Sequence, residues 1–266
     1  MTDKICSIRE EITKHNPLIH CITNPISINQ CANAILSVGA KPIMAEHPEE
    51  VSEITDTADA LMLNLGNITD ARMKSIAISL ERAKERGIPS LFDVVGVACS
   101  KMRREYALSL LKRAVPSVVK GNYSEIEALY NQGYSSAGVD ADNKLNLQST
   151  EKTAKELALK YKTVILATGE TDIVTNGERI LHIKNGTEKL SSVTGTGCML
   201  GALCTAFLSV LNPLNSAVLS CVYFGICGEM AETKKGSGSF MVNLMDRIST
   251  LSREEILKNM DLEERK

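Results

Sequence analysis

The chain lacks the features by which several large classes of protein are recognised. It has no apolar run of about 18 residues, the length that a membrane-spanning helix needs. Its charged first 16 residues have no apolar core like that of a signal peptide. A formal net charge of −2 leaves no basic surface for nucleic acid or an anionic membrane. We therefore expect a cytoplasmic protein with no nucleic-acid or membrane partner.

Cysteine and histidine are present without any metal-binding spacing. The eight cysteines form no C-x-x-C pair, and the four histidines form no H-E-x-x-H motif. This dispersal is typical of reduced, mostly buried thiols and not of a disulfide framework or a zinc site. The sequence does leave open a metal site with oxygen ligands.

Short apolar segments alternate with longer amphipathic ones. Strands are predicted at residues 18–23, 42–45, 60–65, 89–94, 117–120 and 163–167, with a hairpin at 172–176 and 179–183 at one edge of the sheet. A helical tail is predicted at residues 197–210, 213–232 and 240–251. This alternation indicates an α/β fold with a mainly parallel central sheet and helices on both faces. No repeat or linker divides the chain, so we interpret residues 1–266 as a single domain.

Polar side chains stand where five of the predicted strands end. In open parallel sheets, ligands bind beyond the carboxyl ends of the strands. A single Asn, Asp or Thr in such a place is usually a turn residue or a helix cap, but five strands that end in this way favour a site. The residues are Asn24, Asn64, Asp93, Lys120 with Asn122, and Thr168.

Two of these strand ends carry charge. Asp93 suits Mg²⁺, which prefers oxygen ligands. In KGNYSE (residues 120–125), Asn122 followed three residues later by Glu125 fits a capping box, and this structural explanation accounts for both residues. The functional alternative has Lys120 neutralising a nucleotide phosphate and Glu125 joining Asp93 at a metal.

A glycine-rich loop, VTGTGC at residues 193–198, precedes an apolar segment that predicts a helix. Unpaired amides and the helix dipole favour an anion at a helix start, and glycines let a phosphate approach closely. The loop residues Thr194, Gly195, Thr196 and Gly197 therefore predict an anion hole for a transferring phosphoryl group; simple packing is the alternative. Cys198 follows in the first helical turn, where a thiolate is stabilised, unless it is only a small buried hydrophobe.

The loop does not match the better-known phosphate-binding templates. No Gly-Lys-Ser/Thr follows it, so it is not a Walker loop. Its glycines do not fit G-x-G-x-x-G, and no such fingerprint follows the first strand. NAD-dependent oxidoreduction is therefore poorly supported.

Taken together, these motifs resemble the hydroxyethylthiazole kinase family of the ribokinase-like superfamily. The matching stretches are ITN (22–24), DVVG (93–96), KGNYSE (120–125), GVDA (138–141), ATGE-x-D (167–172) and VTGTGC (193–198), in the family's order. The cysteine of the last stretch is the most specific part, because most ribokinase-like kinases have an aspartate there.

The resemblance implies ATP- and Mg²⁺-dependent phosphorylation of the hydroxyethyl group of 4-methyl-5-(2-hydroxyethyl)thiazole, a salvage step toward thiamine. It implies a homotrimer with active sites at subunit interfaces. It assigns the thiazole pocket to Asn24, Met44 and Gly195, ATP binding to Lys120, Asn122 and Thr168, Mg²⁺ to Asp93 and Glu125, and the catalytic position to Cys198. A thiol is a weak base for an alcohol, so we expect Cys198 to be a modest base or mainly a positioning group.

The chain departs from the family pattern at three positions. Val94 and Val97 replace a proline and an alanine in the turn after Asp93, and Lys120 replaces an arginine. A point charge in place of a bidentate clamp predicts weaker orientation of the nucleotide with activity retained. Two other functions stay open: a ribokinase-like kinase of a pyrimidine or pyridoxal-type alcohol, and a non-catalytic small-molecule-binding protein on the same fold.

Overall fold

The computed structural model describes residues 7–131, 133–136 and 146–265. Within them, nine strands are formed: β1 (Leu18–Ile22), β2 (Lys41–Ile43), β3 (Ala60–Asn64), β4 (Ser90–Asp93), β5 (Val118–Asn122), β6 (Val164–Thr168), β7 (Asp172–Thr175), β8 (Ile180–Ile183) and β9 (Leu262–Arg265).

Eleven α-helices are formed in the same residues. They are α1 (Ile8–His15), α2 (Ile28–Ser37), α3 (Val51–Thr57), α4 (Asp70–Arg86), α5 (Lys101–Arg113), α6 (Tyr123–Tyr130), α7 (Leu147–Tyr161), α8 (Thr196–Leu208), α9 (Pro213–Met230), α10 (Ser237–Thr250) and α11 (Arg253–Asn259). None of them is long and apolar enough to cross a membrane.

All nine strands join in one sheet, in the order β2-β1-β3-β4-β5-β6-β7-β8-β9. From β2 to β6 every neighbouring pair is parallel, and β7, β8 and β9 are added antiparallel. The predicted mainly parallel sheet is therefore confirmed. Polar residues that follow β1, β3, β4, β5 and β6 share one edge, because these strands are parallel neighbours.

Helices cover both faces of the sheet, and the strand residues alternate between two apolar cores. In β3, Ala60 and Met62 belong to one core, and Leu61 and Leu63 belong to the other. The first core packs against α1, α2 and the helices from α8 onward, and the second against α3 to α7. The inner strands are thus buried on both sides, which explains their nearly continuous apolar sequences.

Four features differ from the sequence predictions: the place of the hairpin, two helices and one strand. The hairpin of β7 and β8 forms, but its placement at the sheet edge was wrong, because β9 pairs with β8 on the outer side. The helices α1 and α11 had no predicted counterpart. The sequence of β9, Leu-Glu-Glu-Arg, lacks the alternation of apolar and polar residues that predicts a strand. Its charged side chains are typical of exposed edge strands.

The predicted loop at residues 131–146 lies partly outside the described residues, and so does the motif at 138–141. Helix α7 begins right after it, where the Asn146 side chain accepts a hydrogen bond from the Ser149 amide. The prediction of buried thiols is met by Cys204, Cys221 and Cys227, whereas Cys99 is exposed.

Candidate active site

The carboxyl edge of the parallel strands brings most of the predicted site residues together. In the strand register, Asn64 lies opposite Asp93, and Asp93 lies opposite Lys120. Asn122 at the end of β5 lies opposite Thr168 at the end of β6. Helix α8 packs against β1, β3 and β4, so the glycine-rich loop at its start faces the same edge.

Cys198 is held at the centre of this edge by two asparagines. Its Sγ lies 3.3 Å from Asn24 Nδ2 and 3.4 Å from Asn64 Nδ2. The two side-chain amides are also hydrogen-bonded to each other, since Asn24 Nδ2 donates to Asn64 Oδ1 at 3.1 Å. Both asparagines are buried, and Cys198 is half buried. The structure thus connects the ends of β1 and β3 to the first turn of α8.

A buried ion pair lies beside the thiol. Lys120 Nζ donates to Asp93 Oδ2 at 3.0 Å, and the two side chains are 5% and 2% exposed. Burial by itself would lower the pKa of Lys120, but the charge and hydrogen bond of Asp93, together with Cys198 and Glu125, outweigh it and the pKa is raised. The ammonium lies 3.8 Å from where a Cβ on Gly197 would stand. Lys120 therefore links the acidic strand end to the glycine-rich loop, a pairing that the sequence did not predict.

Glu125 is buried behind this pair at the start of α6. Its Oε1 accepts a hydrogen bond from the Gly96 amide at 2.7 Å, and its Oε2 accepts one from the Asn122 amide at 2.8 Å. Asn122 caps the helix in return, so the predicted capping box is formed. Burial, and then the charge of Asp93, raise the pKa of Glu125 to about 7, although the two amides and Lys120 act against them.

The glycine-rich loop starts α8 in a conformation that suits glycine. Gly195 is the N-cap, with a left-handed φ of 93°, and no side chain caps the helix within the described residues. The hydroxyl of Thr196 donates to the carbonyls of Leu190 and Val193, which fixes the loop from behind. Thr194 and Gly197 are exposed, so the first amides of the helix face an accessible region.

The structure corrects one electrostatic expectation for Cys198. The helix start favours a thiolate, yet burial and the charge of Asp93 raise the pKa of the thiol. The side chain of Ser27, the charge of Lys120 and the hydrogen bond from Asn24 act in the opposite direction without overcoming them. The thiol is therefore better suited to position a hydroxyl than to remove its proton.

Two predicted site residues, Met44 and Thr168, lie at the same edge of the sheet, and no hydrogen bond described for them reaches the thiol. Met44 follows β2 at the same sheet edge and is half buried against the core that also contacts Cys198. Thr168 ends β6, where its hydroxyl lies 3.5 Å from the Gly121 carbonyl. Next to it, a Cβ on Gly169 would stand 2.6 Å from the ring of Tyr123, so a larger residue there would displace that ring.

The turn after Asp93 stays closed despite its valines. Val94 and Val97 are both fully buried, and the Val97 amide donates to the Val94 carbonyl at 3.2 Å. Gly96 has the left-handed φ of 84° that the turn requires. The departure from proline thus leaves the Gly96 amide aimed at Glu125.

The sequence did not lead us to Arg72, which connects the backbone segments that follow β1 and β3. Its side chain is buried in α4 and donates to the carbonyls of Thr23 and Gly66 at 3.4 and 3.0 Å. Its Nε lies 3.3 Å from the Glu46 carboxylate. The signal was available, because Arg72 occupies the same helix face as the buried Ile76 and Ala83.

Two acidic residues of the site have the chemistry that Mg²⁺ requires. No group of three or more His, Cys, Asp or Glu side chains is arranged to hold a metal within the described residues. Asp93 and Glu125, however, are two buried carboxylates of which one raises the pKa of the other. A divalent cation would relieve that repulsion, and Mg²⁺ needs only one or two carboxylates because it keeps several waters. The donor set therefore fits magnesium.

Comparisons with known proteins identify the family of the chain. A sequence model described as the Hydroxyethylthiazole kinase family matches residues 9–254. The chain belongs to the hydroxyethylthiazole kinase family. A relative named hydroxyethylthiazole kinase 2, from Clostridium botulinum (strain Hall), is 47% identical over 258 residues, which are 95% of this chain and 97% of the relative.

Solved structures support the family and the fold. A hydroxyethylthiazole kinase protein from Pyrococcus horikoshii OT3 superposes with a TM-score of 0.90 at 34% identity, over 98% of this chain and 99% of that one. The pyridoxal kinase of Staphylococcus aureus, solved with AMP-PCP and pyridoxal, has a TM-score of 0.62 at 14% identity, over 93% and 98% of the two chains. That second likeness concerns the fold alone. The predicted ribokinase-like α/β fold is confirmed.

Proposed function

We propose that this protein is a hydroxyethylthiazole kinase: it transfers the γ-phosphoryl group of ATP to the hydroxyethyl group of 4-methyl-5-(2-hydroxyethyl)thiazole, in thiamine salvage. Family membership supports the reaction. The observation that carries the site is the position of Lys120, which reaches both Asp93 and Gly197 of the glycine-rich loop. A phosphoryl group at that point would meet helix amides and an ammonium together.

The proposed roles follow from what each group can do in phosphoryl transfer, where positioning and charge stabilisation dominate. The loop at 194–197 offers amide donors to the transferring group, and Lys120 offers a positive charge. Asn122 and Thr168 stand at the neighbouring strand ends as the nucleotide contacts. Asp93 and Glu125 are the residues that would hold Mg²⁺, which supplies positive charge to the phosphate oxygens when it is bound.

The acceptor side of the site is assigned to the opposite end of the same edge. Asn24, Met44 and Gly195 form the proposed thiazole pocket, with Cys198 between that pocket and the phosphate loop. Because the pKa of the Cys198 thiol is raised, we assign it a role in orienting the substrate hydroxyl. Proton removal by a thiolate is a smaller contribution in this proposal.

We also propose that the protein works as a homotrimer with its active sites at subunit boundaries. The support is a groove of about 590 Å³ between α2 and α10, lined by asparagines and by Met241 and Met245. Exposed Leu36 and Val242 stand on the same two helices. Gln30 lines this groove and lies about 4.0 Å from a Cβ built on Gly195, so a subunit seated there would adjoin the acceptor pocket. A cytoplasmic location stays a prediction.

The test of the proposed reaction is direct. Purified protein, Mg²⁺-ATP and hydroxyethylthiazole are mixed, and the phosphate ester is sought by mass spectrometry, with a hydroxymethylpyrimidine and pyridoxal as competing acceptors. Preferential formation of the thiazole ester supports the proposal. Preferential phosphorylation of another alcohol, or ATP binding without turnover of any, would overturn it. Size measurement by light scattering decides separately whether the protein is a trimer.

A further inference from the structure

Two backbone amides fix the orientation of the asparagine side chains beside Cys198. The Ser27 amide donates to Asn24 Oδ1 at 3.2 Å, and the Gly66 amide donates to Asn64 Oδ1 at 2.8 Å. A backbone amide only donates, so each side-chain oxygen must face it. The side-chain nitrogens consequently take the other positions, toward the sulfur.

Both nitrogens donate to one atom. Asn24 Nδ2 and Asn64 Nδ2 lie 3.3 and 3.4 Å from Cys198 Sγ. The sulfur is therefore used as a hydrogen-bond acceptor on this side, and its own S–H, when present, cannot be directed at either amide. The thiol proton is therefore directed away from the two side-chain nitrogens.

The surrounding chain restricts the arrangement of the pair. A Cβ on Gly66 would lie 2.8 Å from Asn24 Nδ2 and 2.9 Å from Asn64 Oδ1, so any larger residue there would displace the two side-chain amides. Arg72 joins the two segments that carry the amides through the carbonyls of Thr23 and Gly66. Asn64 itself is fully buried at the end of β3.

We propose that Asn64 is a positioning residue for phosphoryl transfer, which acts through Cys198 by holding its sulfur as an acceptor oriented toward the substrate hydroxyl. The effect on turnover rests on the function proposed above, whereas the effect on the thiol does not. Donors favour the charged form of the group that accepts them, so loss of Asn64 disfavours the thiolate. The other charged or titratable groups around the sulfur are Asp93 from β4, Lys120 from β5 and Cys31 from α2.

The first test measures the thiol without substrate. Iodoacetamide alkylation of Cys198 is followed by peptide mass spectrometry in the native protein and in Asn64→Leu and Asn64→Ala, after unfolding curves confirm that the variants fold. We expect alkylation to slow about tenfold at a given pH below the thiol pKa, equivalent to about one pKa unit. Unchanged alkylation in both folded variants would overturn the proposal. If neither folds, Gly66→Ala, which keeps both amides but displaces them, must give the same slowing.

The matched control is Thr205→Val in helix α8. Thr205 is also fully buried, and its hydroxyl donates to the Gly201 carbonyl at 2.8 Å, away from the sulfur. This variant perturbs the same helix by one hydrogen bond, so a general structural effect would slow alkylation equally. We expect no change in Thr205→Val, and a similar slowing there would overturn the proposal.

The second test uses turnover. Asn64→Leu should lower kcat about tenfold and change KM for the thiazole less than threefold, the pattern of an interaction that matters mainly in the transition state. In a Cys198→Ala background the same substitution should have no further effect, since the two residues act as one unit. Additive losses would refute action through the sulfur. Absence of any thiazole ester from the native protein would instead reject the proposed function and leave the alkylation test decisive.

Discussion

Removing the positive charge of Lys120 should destabilise the protein more than any surface charge can. In Lys120→Met, Asp93 stays buried, 2% exposed, without its partner at 3.0 Å and with Glu125 and Cys198 nearby. Breaking a buried pair in this way costs about 3–5 kcal/mol. Domains of this kind are stable by about 5–15 kcal/mol, so the loss would be a large fraction of the total.

Urea unfolding followed by circular dichroism measures this loss. The matched control is Lys184→Met, because Lys184 pairs with Glu263 at 3.4 Å but the two side chains are 49% and 43% exposed. Exposed pairs contribute about 1 kcal/mol or less. Equal losses in the two variants would refute the idea that burial makes the Lys120 pair different.

A double variant separates folding from function. Replacing both partners by apolar residues, Lys120→Met with Asp93→Leu, removes the unpaired charge, and such replacements are often neutral or stabilising. Most of the lost stability should therefore return, while kinase activity stays below one per cent or so of native because both charges serve the phosphate site. A double variant as unstable as Lys120→Met would show that an unpaired Asp93 is not the cause.

Three further outcomes are expected. Cys198→Asp should keep or raise turnover and Cys198→Ala should lower it by at most about 10²–10⁴-fold, measured as thiazole phosphate formed; complete loss in the aspartate variant at unchanged stability would contradict this. In metal-free protein, the pKa of Glu125 is raised from 4.5 to about 7, so the free energy of unfolding should fall by about 3 kcal/mol as the pH rises through that range. Urea unfolding measured below and above this pH range should show the fall in the native protein and not in Glu125→Gln. By calorimetry, ATP should bind about tenfold or more weakly in EDTA than with Mg²⁺; equal affinities would remove the case for a metal.

The strand ends were predictable because the signal is local. Each inner strand is an apolar segment that ends in a polar residue, and parallel pairing then brings Asn24, Asp93 and Thr168 to one edge without further information. The capping box of Asn122 and Glu125 was equally local. These features follow from neighbouring residues and from one rule of parallel sheets.

The contacts inside the site were not predictable in the same way. Asn24 and Asn64 meet only because β1 pairs with β3 in one particular register, and the sequence of either strand does not encode the other's amide orientation. The pairing of Lys120 with Asp93 likewise depends on the register of β4 and β5. Strand β9 was not predicted, because its residues are polar and its partner β8 lies about 80 residues earlier in the chain.

The charge balance of the site explains why a metal belongs in the proposal even though no cluster of three acidic or sulfur ligands is formed in the described part of the chain. Lys120 is the cation that meets the loop, and Asp93 already neutralises it at 3.0 Å. Glu125 adds a second carboxylate whose pKa of about 7 leaves it partly charged near neutrality. A nucleoside triphosphate that enters such a site encounters no net positive charge from these three residues. Helix amides alone offer partial charges of about half a unit, so a further cation must accompany the phosphates, and two carboxylates are the ligands that would receive it.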